Sequence, residues 1–392
     1  MSIRRFAAHY VFPIEGPPLR NGVVELDGQG YVRAVWEARN PDALHSTEFH
    51  NGAIVPGFVN AHCHLELSHL RGTMPKGLGL TEFVRRVGSL RQAPPERVAQ
   101  AIDQAIDELQ RTGAVAVADI CNTPDTIAAK RQAKGLRFCN LVEVFGIGPH
   151  EAQSAYAKAK SVQASFAAQL DGAQLVPHAP YSVSDALWVL LQPELQGQRV
   201  SLHLGESQAE YELLQHERGE LFNRYSRSIA SYSIPTGGSP EGVAAHWLPA
   251  SCHPLLVHCT YAHPEALRAL CARFGQATVV TCPESNLHLE GQLPPLPEWR
   301  RLGLHVAMGT DSLASATQLS MLHNINLALD TFAELPFVEV LRWATLGGAE
   351  ALGLETQLGS IAVGKQPGLC LIEQFDFAFM RPTPQSTVRR LA

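Results

Sequence analysis

The stretch Val55-Pro56-Gly57-Phe58-Val59-Asn60-Ala61-His62-Cys63-His64-Leu65-Glu66-Leu67-Ser68-His69-Leu70-Arg71-Gly72 decides how the chain is read. With Ile54 ahead of it, its first half is apolar, β-branched and aromatic, broken once by Pro56-Gly57, which is the pattern of a strand. His62 and His64 close that strand. Side chains two apart on a strand share a face, so the two imidazoles project together and can grip one transition metal. An isolated pair could equally be two hydrogen-bonded polar residues at a strand end. What stands elsewhere in the chain decides between the two.

Seven further apolar runs follow, at 114–120, 136–144, 173–178, 199–204, 254–259, 277–282 and 304–310, with the first at 54–60. Amphipathic segments fill the gaps; Val98 to Arg111, for example, has apolar residues at 98, 101, 102, 105, 106 and 109. Near-continuous apolar strands alternating with helices mean a parallel sheet, and eight of them predict a (β/α)8 TIM barrel. The two ends of the chain differ from this middle. Short strand-like runs such as Val23–Leu26 and Leu369–Ile372, punctuated by Pro17-Pro18, Asn21-Gly22 and Gly364, predict a small β-sandwich built from both termini. The expected division is residues 1–55 together with 356–392 for the sandwich and 56–355 for the barrel.

Chemistry in such a barrel gathers where strands end. The predicted ends carry His62 and His64, His178, His203, His258 and Asp311. A single histidine there is usually structural; several at one rim are not readily coincidental. Histidines in loops, helices or the terminal segments, such as His9, His150 and His323, receive no role. A catalytic zinc or ferrous ion takes three or four nitrogen and oxygen ligands plus a water, and His62, His64, His203 and Asp311 supply four. Three neutral imidazoles and one carboxylate leave such a site near +1, which lowers the pKa of a bound water toward neutrality. Glu206, three residues beyond His203, could shuttle a proton without ligating, or could serve as an acid favoured by a helix N-terminus. His258 could ligate a second metal or orient the attacking oxygen. A bridging lysine at the fourth strand is absent, His178 standing there instead, so one divalent metal, zinc or iron, is expected.

Composition bounds the partners. At 392 residues, 45% hydrophobic and 17% charged, the chain has the make-up of an ordinary soluble protein, and its net charge of −6 gives no basic excess for nucleic acid or an anionic membrane. The eight cysteines show no Cys-x-x-Cys, against a disulfide framework or a structural zinc knuckle, and no run of about 18 apolar residues occurs. The expectation is a cytoplasmic protein acting on a small molecule, possible as a homodimer.

Together, Pro56–His64, His203-x-x-Glu206, His258 and Gly309-Thr310-Asp311-Ser312 resemble the amidohydrolase superfamily, and more narrowly its mononuclear deaminase branch. Pro177–Ser184, Cys282–Leu287 and Ala349–Leu354 running into Leu358–Lys365 are similar to it as well. The resemblance spans nearly the whole chain. It implies metal ligation by His62, His64, His203 and Asp311, acid–base work by Glu206, polarisation of the nucleophile by His258 and a substrate contact from His178. Asp311 would take a proton from the water, His258 would hold the resulting oxygen, and Glu206 would protonate a ring nitrogen beside the attacked carbon. Leu65-Glu66-Leu67-Ser68 looks closest to the aminodeoxyfutalosine deaminases of a menaquinone pathway, with S-adenosylhomocysteine/methylthioadenosine and guanine deaminases as alternatives. Gln366-Pro367-Gly368-Leu369 departs from the usual acidic closing motif, a matter for the sandwich and not for the chemistry.

Position alone adds Arg71, Asn286 and Ser312 as pocket candidates. Glu66 is either a hydrogen-bonding partner of the substrate or a solvated loop acid. A cyclic-amide or dechlorinating hydrolase on the same scaffold is the nearest rival. A non-enzymatic binder has no need of four ligands plus Glu206 and His258.

Overall fold

The computed structural model describes residues 3–40, 46–229 and 231–392. Among these residues, fifteen strands fall into two groups. Strands β1 (Arg4–Val11), β2 (Leu19–Arg20), β3 (Gly22–Leu26), β4 (Val32–Glu37) and β5 (Glu48–Pro56) come from the beginning of the chain. β6 (Phe58–Cys63), β7 (Ala114–Cys121), β8 (Arg137–Val144), β9 (Gln174–Pro177), β10 (Arg199–Leu204), β11 (His253–His258), β12 (Thr278–Thr281) and β13 (Val306–Met308) form the middle. β14 (Leu369–Asp376) and β15 (Arg381–Arg390) close it.

The terminal strands join one seven-stranded sheet in the order β15-β14-β5-β1-β3-β4, with β2 on β1. Val32 on β4 donates to Lys365 O, and Gly364 N donates back to Val32 O, while Leu369 pairs with Pro56 on β5. One short segment thus touches both flanks of the sheet and draws them toward each other around Phe6, Ala8, Val24, Leu26, Ile54 and Leu371. The two chain ends share this core as their textures foretold.

The eight middle strands run parallel in two ladders, β6-β7-β8-β9 and β10-β11-β12-β13, each strand followed by one or more helices. The ladders meet at two seams. At one, His203 N donates to His178 O; at the other, Thr310 N and Asp311 N donate to His62 O, and Cys63 bridges Asp311. Both seams therefore lie beside the residues singled out from the sequence. The ring is a (β/α)8 barrel filled by Ala116, Ala118, Ile120, Leu141, Val176, Leu255, Val257, Val280 and Ala307. Ala349, Ala351, Leu352 and Leu358 plug its N-terminal mouth, where Arg199 Nε donates to Ala351 O.

The run expected as one strand at 54–60 is two. It breaks at Gly57, where the chain leaves the sheet for the barrel and Gly57 N donates to Pro367 O. A Cβ there would sit 2.3 Å from Val115 Cγ1 and 2.8 Å from Pro367 O, so only glycine fits. The strand carrying the histidines ends at Cys63, one residue short of His64, which begins a 3₁₀ turn over Leu65–Leu70.

Candidate active site and metal centre

Each key side chain stands where an apolar strand gives out. His62 lies near the end of β6 and His64 just past it; His178 and Glu206 follow β9 and β10; His203 is inside β10, His258 ends β11 and Asp311 follows β13. Three of these turns need unusual backbone. His258, Cys259 and Asp311 have φ of 70°, 48° and 57°, the left-handed region that costs most residues energy and persists where surroundings enforce it. Gly205, at φ 54°, makes the corresponding turn before Glu206 without that penalty.

The strand ends converge. His64 Nε2 is 3.1 Å from His62 Nε2, and Asp311 Oδ1 lies 3.6 Å from His62 Nε2 and 3.4 Å from His64 Nε2. Ligand atoms of His62, His203 and His258 fall within 4.8 Å of one another, as do those of His62, His64 and Asp311. All five residues are buried. Imidazole nitrogens face to face beside a carboxylate, away from water, form a donor set for one divalent cation. The tautomers agree for His203: its Nδ1–H donates to His178 O at 3.0 Å, with Glu143 Oε1 3.5 Å away, leaving Nε2 unprotonated.

His258 is oriented differently. Asn286 Oδ1 accepts from Cys282 N, which turns its amide NH₂ toward Thr260 Oγ1 at 2.6 Å and His258 Nδ1 at 3.4 Å. Nδ1 is then an acceptor, and the proton of the neutral ring sits on Nε2, 3.6 Å from Glu206 Oε1. This ring is built to donate from Nε2, which favours the orienting role over ligation. Asn286, expected in the pocket, instead stands behind His258 and does not line the cavity.

Burial sets the protonation states. It raises the Glu206 carboxyl well above its usual range, with Asp311, Glu290, Glu210 and Glu143 adding to the effect. Burial also pushes His258 down to about 3 and His203 well below its ordinary value, so both rings are neutral. For Asp311 burial acts the other way but is overcome by the hydrogen bond from His62 and by His64 and His258, which hold the carboxyl well below its usual range. An ionised Asp311 and a protonated Glu206 thus coexist in one site, a pair pushed apart by environment as acid–base assignments require.

These groups form the floor of a cavity of about 280 Å³. His64, Glu143, His178, His203, Glu206, His258, Asp311 and Ser312 line the polar end. The other end is apolar: Leu67, Phe145, Ile147, Tyr181 and Tyr225 meet Leu80, Phe83, Val84 and Val87 from the helix Gly79–Leu90. Arg91 and Arg224 stand among them. Ser207 caps the helix after Glu206 by accepting from Ala209 N, so Glu206 is not needed as a helix-terminal acid and points into the cavity.

Besides Asn286, two sequence candidates lie elsewhere. The Glu66 carboxylate is neither solvated nor in the cavity; it is buried and accepts from Asn122 N, Thr123 N and Arg91 Nη2, at 2.8, 3.0 and 2.8 Å. It holds two lining residues, Asn122 and Arg91, in place. Arg71 turns outward to Glu108 and Thr317 O, because the 3₁₀ turn carries it past the barrel mouth. The apolar helix wall, Arg91, Glu143, Arg224 and the two tyrosines were not anticipated. Glu143 had a readable signal, a lone acid in the apolar run ending at Val144; the helix 79–90 had only its amphipathic pattern.

The residues 53–389 match the Amidohydrolase family, and the chain belongs to it. It is accordingly a hydrolase acting on carbon–nitrogen bonds other than peptide bonds. An aminodeoxyfutalosine deaminase from Deinococcus radiodurans is 31% identical over 340 residues, covering 81% of this chain and 79% of the relative. A 5-methylthioadenosine/S-adenosylhomocysteine deaminase from Pelotomaculum thermopropionicum is 27% identical over 397 residues, covering 95% and 84%. Among solved structures, an adenosine deaminase from Xanthomonas campestris with bound zinc aligns with a TM-score of 0.70 and 28% identity, covering 94% of this chain and 84% of its own.

Proposed function

We propose that this chain is a metal-dependent deaminase of a purine-type nucleoside, with aminodeoxyfutalosine as its substrate and a role in menaquinone synthesis. The observation that carries the reading is the convergence of His62, His64, His203 and Asp311 beside Glu206 and His258, whose Oε1 and Nε2 are 3.6 Å apart, at the floor of a cavity whose far end is apolar. The Deinococcus relative supports the substrate; the Pelotomaculum relative makes methylthioadenosine or adenosylhomocysteine the alternative.

His62, His64, His203 and Asp311 would hold one divalent metal, zinc or iron, which when bound acts as a Lewis acid that acidifies the attacking water. Asp311 accepts a proton as that water's oxygen bonds the amino-bearing ring carbon. The Nε2–H of His258 hydrogen-bonds the attacking oxygen and aims it. Glu206 delivers its proton to the adjacent ring nitrogen, so the ring carbon becomes tetrahedral without charge building on the ring. Asp311 passes its proton to the amino group, the carbon–nitrogen bond breaks and ammonia leaves. The Glu206 carboxylate takes the remaining hydroxyl proton as the carbonyl forms, which restores the starting state. The apolar wall Leu80–Val87 takes the far part of the substrate and keeps water out. His178, with Nδ1 on Ser182 Oγ at 2.6 Å, turns its other nitrogen to the substrate.

Among the described residues all eight cysteines are free thiols and no helix is long and apolar enough to cross a membrane, which supports a reducing, cytoplasmic setting. A homodimer is part of the same reading.

An ammonia-release assay tests it, with metal-loaded protein over aminodeoxyfutalosine, methylthioadenosine, adenosylhomocysteine, adenosine, guanine and cytosine. The reading expects aminodeoxyfutalosine to have the highest kcat/KM. Ammonia from none of them, alongside turnover of a cyclic amide or a chlorinated ring, would overturn it.

A further inference from the structure

The far half of the catalytic cavity is apolar except for two arginines, and their situations differ. Arg91, which caps the C-terminus of the helix Gly79–Leu90, is neutralised: its Nη2 donates to the buried Glu66 carboxylate at 2.8 Å. Arg224 comes from the helix Gly219–Ser228, three residues after Leu221 and next to Tyr225, so it shares the stripe that those two bury. It lines the cavity half-buried, and among the described residues it makes no hydrogen bond or ion pair. Glu220, one turn earlier, is exposed and does not pair with it.

A guanidinium left unpaired in an apolar wall favours a ligand that brings the missing charge. Its planar fork matches a carboxylate, which it can hold through two parallel hydrogen bonds. The rest of the lining narrows the choice. The carboxylates that line the cavity, Glu143, Glu206 and Asp311, all stand at the floor, and Glu143 is engaged by Asn122 Nδ2 at 3.2 Å. No lining acid is left at the far end to receive an ammonium, which two arginines there would repel. A zwitterionic amino-acid tail therefore fits poorly, and a neutral tail leaves Arg224 without a partner.

We propose that Arg224 binds the far end of the substrate and selects a nucleoside whose apolar tail ends in a carboxylate with no ammonium beside it. The inference rests on the deaminase reading and deepens it. Of the candidate substrates, aminodeoxyfutalosine ends in a benzoate, adenosylhomocysteine in a zwitterion and methylthioadenosine in a methyl group.

Steady-state ammonia release by the metal-loaded protein tests it, with aminodeoxyfutalosine, its carboxylate methyl ester and adenosylhomocysteine as substrates and Arg224→Met and Arg224→Lys as variants. The wild type should prefer the acid to its ester by about tenfold or more in kcat/KM, chiefly through KM, as a charge-assisted hydrogen bond provides. Arg224→Met should abolish that preference. Arg224→Lys should keep part of it, since a point charge remains without the fork. The preference is a ratio within one protein, so a fraction of misfolded variant lowers both rates and does not move it. The proposal fails if the wild type shows no preference for the acid, if Arg224→Met retains it, or if adenosylhomocysteine matches aminodeoxyfutalosine in the wild type. Each of these outcomes includes ammonia release and leaves the deaminase reading standing. Ammonia from none of the three substrates with the wild type would overturn that reading and this inference with it.

Discussion

Glu206 and Asp311 are both buried carboxyls, yet their environments separate them. Burial and then the neighbouring acids raise the Glu206 carboxyl, while the hydrogen bond from His62 and the nearby His64 and His258 outweigh burial and hold the Asp311 carboxyl low. Replacing Glu206 by Gln keeps the shape and removes the transferable proton. We expect kcat to fall about 10²–10⁴-fold with metal content unchanged, checked by steady-state kinetics and elemental analysis. With Glu206 donating from its protonated form, as proposed, activity should fall as pH rises through its raised pKa, read from a kcat–pH profile. His258, held at about 3, should add no acid limb above that value. Asn286→Ala should lower kcat by about 10–100-fold through disorientation of His258, with little change in KM. The principal side chains were legible in the sequence because each closes an apolar run, so strand periodicity alone places them at one rim. Glu66 and Arg71 were not, since a position in a loop says nothing of direction: a 3₁₀ turn sends one inward to backbone amides and the other outward.

At the scale of elements, the turn after His64 is tied to β7 by Asp119, whose Oδ1 accepts from Leu65 N at 2.8 Å and whose Oδ2 meets Lys130 Nζ at 2.5 Å. Lys130 and Asp119 are fully buried. Lys130→Met leaves the carboxylate uncompensated and should cost about 3–5 kcal/mol, read by urea denaturation. Glu210, on the helix behind Glu206, is pushed well above its usual range by burial and then by Glu241. The folded state therefore binds its proton more tightly than the unfolded one. Its contribution is favourable at low pH and is lost as pH climbs from about 4.5, the ordinary glutamate value, through the raised folded value. Glu210→Gln should flatten that decline in melting temperature. The helix Gly79–Leu90 supplies the apolar wall through Leu80, Phe83, Val84 and Val87. Phe83→Ala should raise KM for aminodeoxyfutalosine more than for adenosine, a split visible in parallel kinetics. That wall escaped notice because amphipathic spacing marks a helix that packs on something, without saying whether on a core or a ligand.

For the molecule as a whole, the barrel's two ladders are stitched at seams that run beside His62, His178, His203 and Asp311. A metal there would join strands that otherwise share few backbone hydrogen bonds, so chelation should lower the melting temperature as well as stop turnover. The alternation of strand and helix announced the barrel, and like texture at both ends announced a shared terminal core. The break at Gly57 was harder to see, since apolar residues flank it on both sides and only the approach of Val115 and Pro367 explains it. What the account needs above all is one cation gathered by residues from β6, β10 and the end of β13. An anomalous-difference map from crystals of zinc-loaded protein measures that directly. The account predicts a single peak per chain within bonding distance of His62 Nε2, His64 Nε2, His203 Nε2 and an Asp311 oxygen; a zinc peak elsewhere, or one at the His62–His64 pair that leaves His203 and Asp311 unengaged, would contradict it.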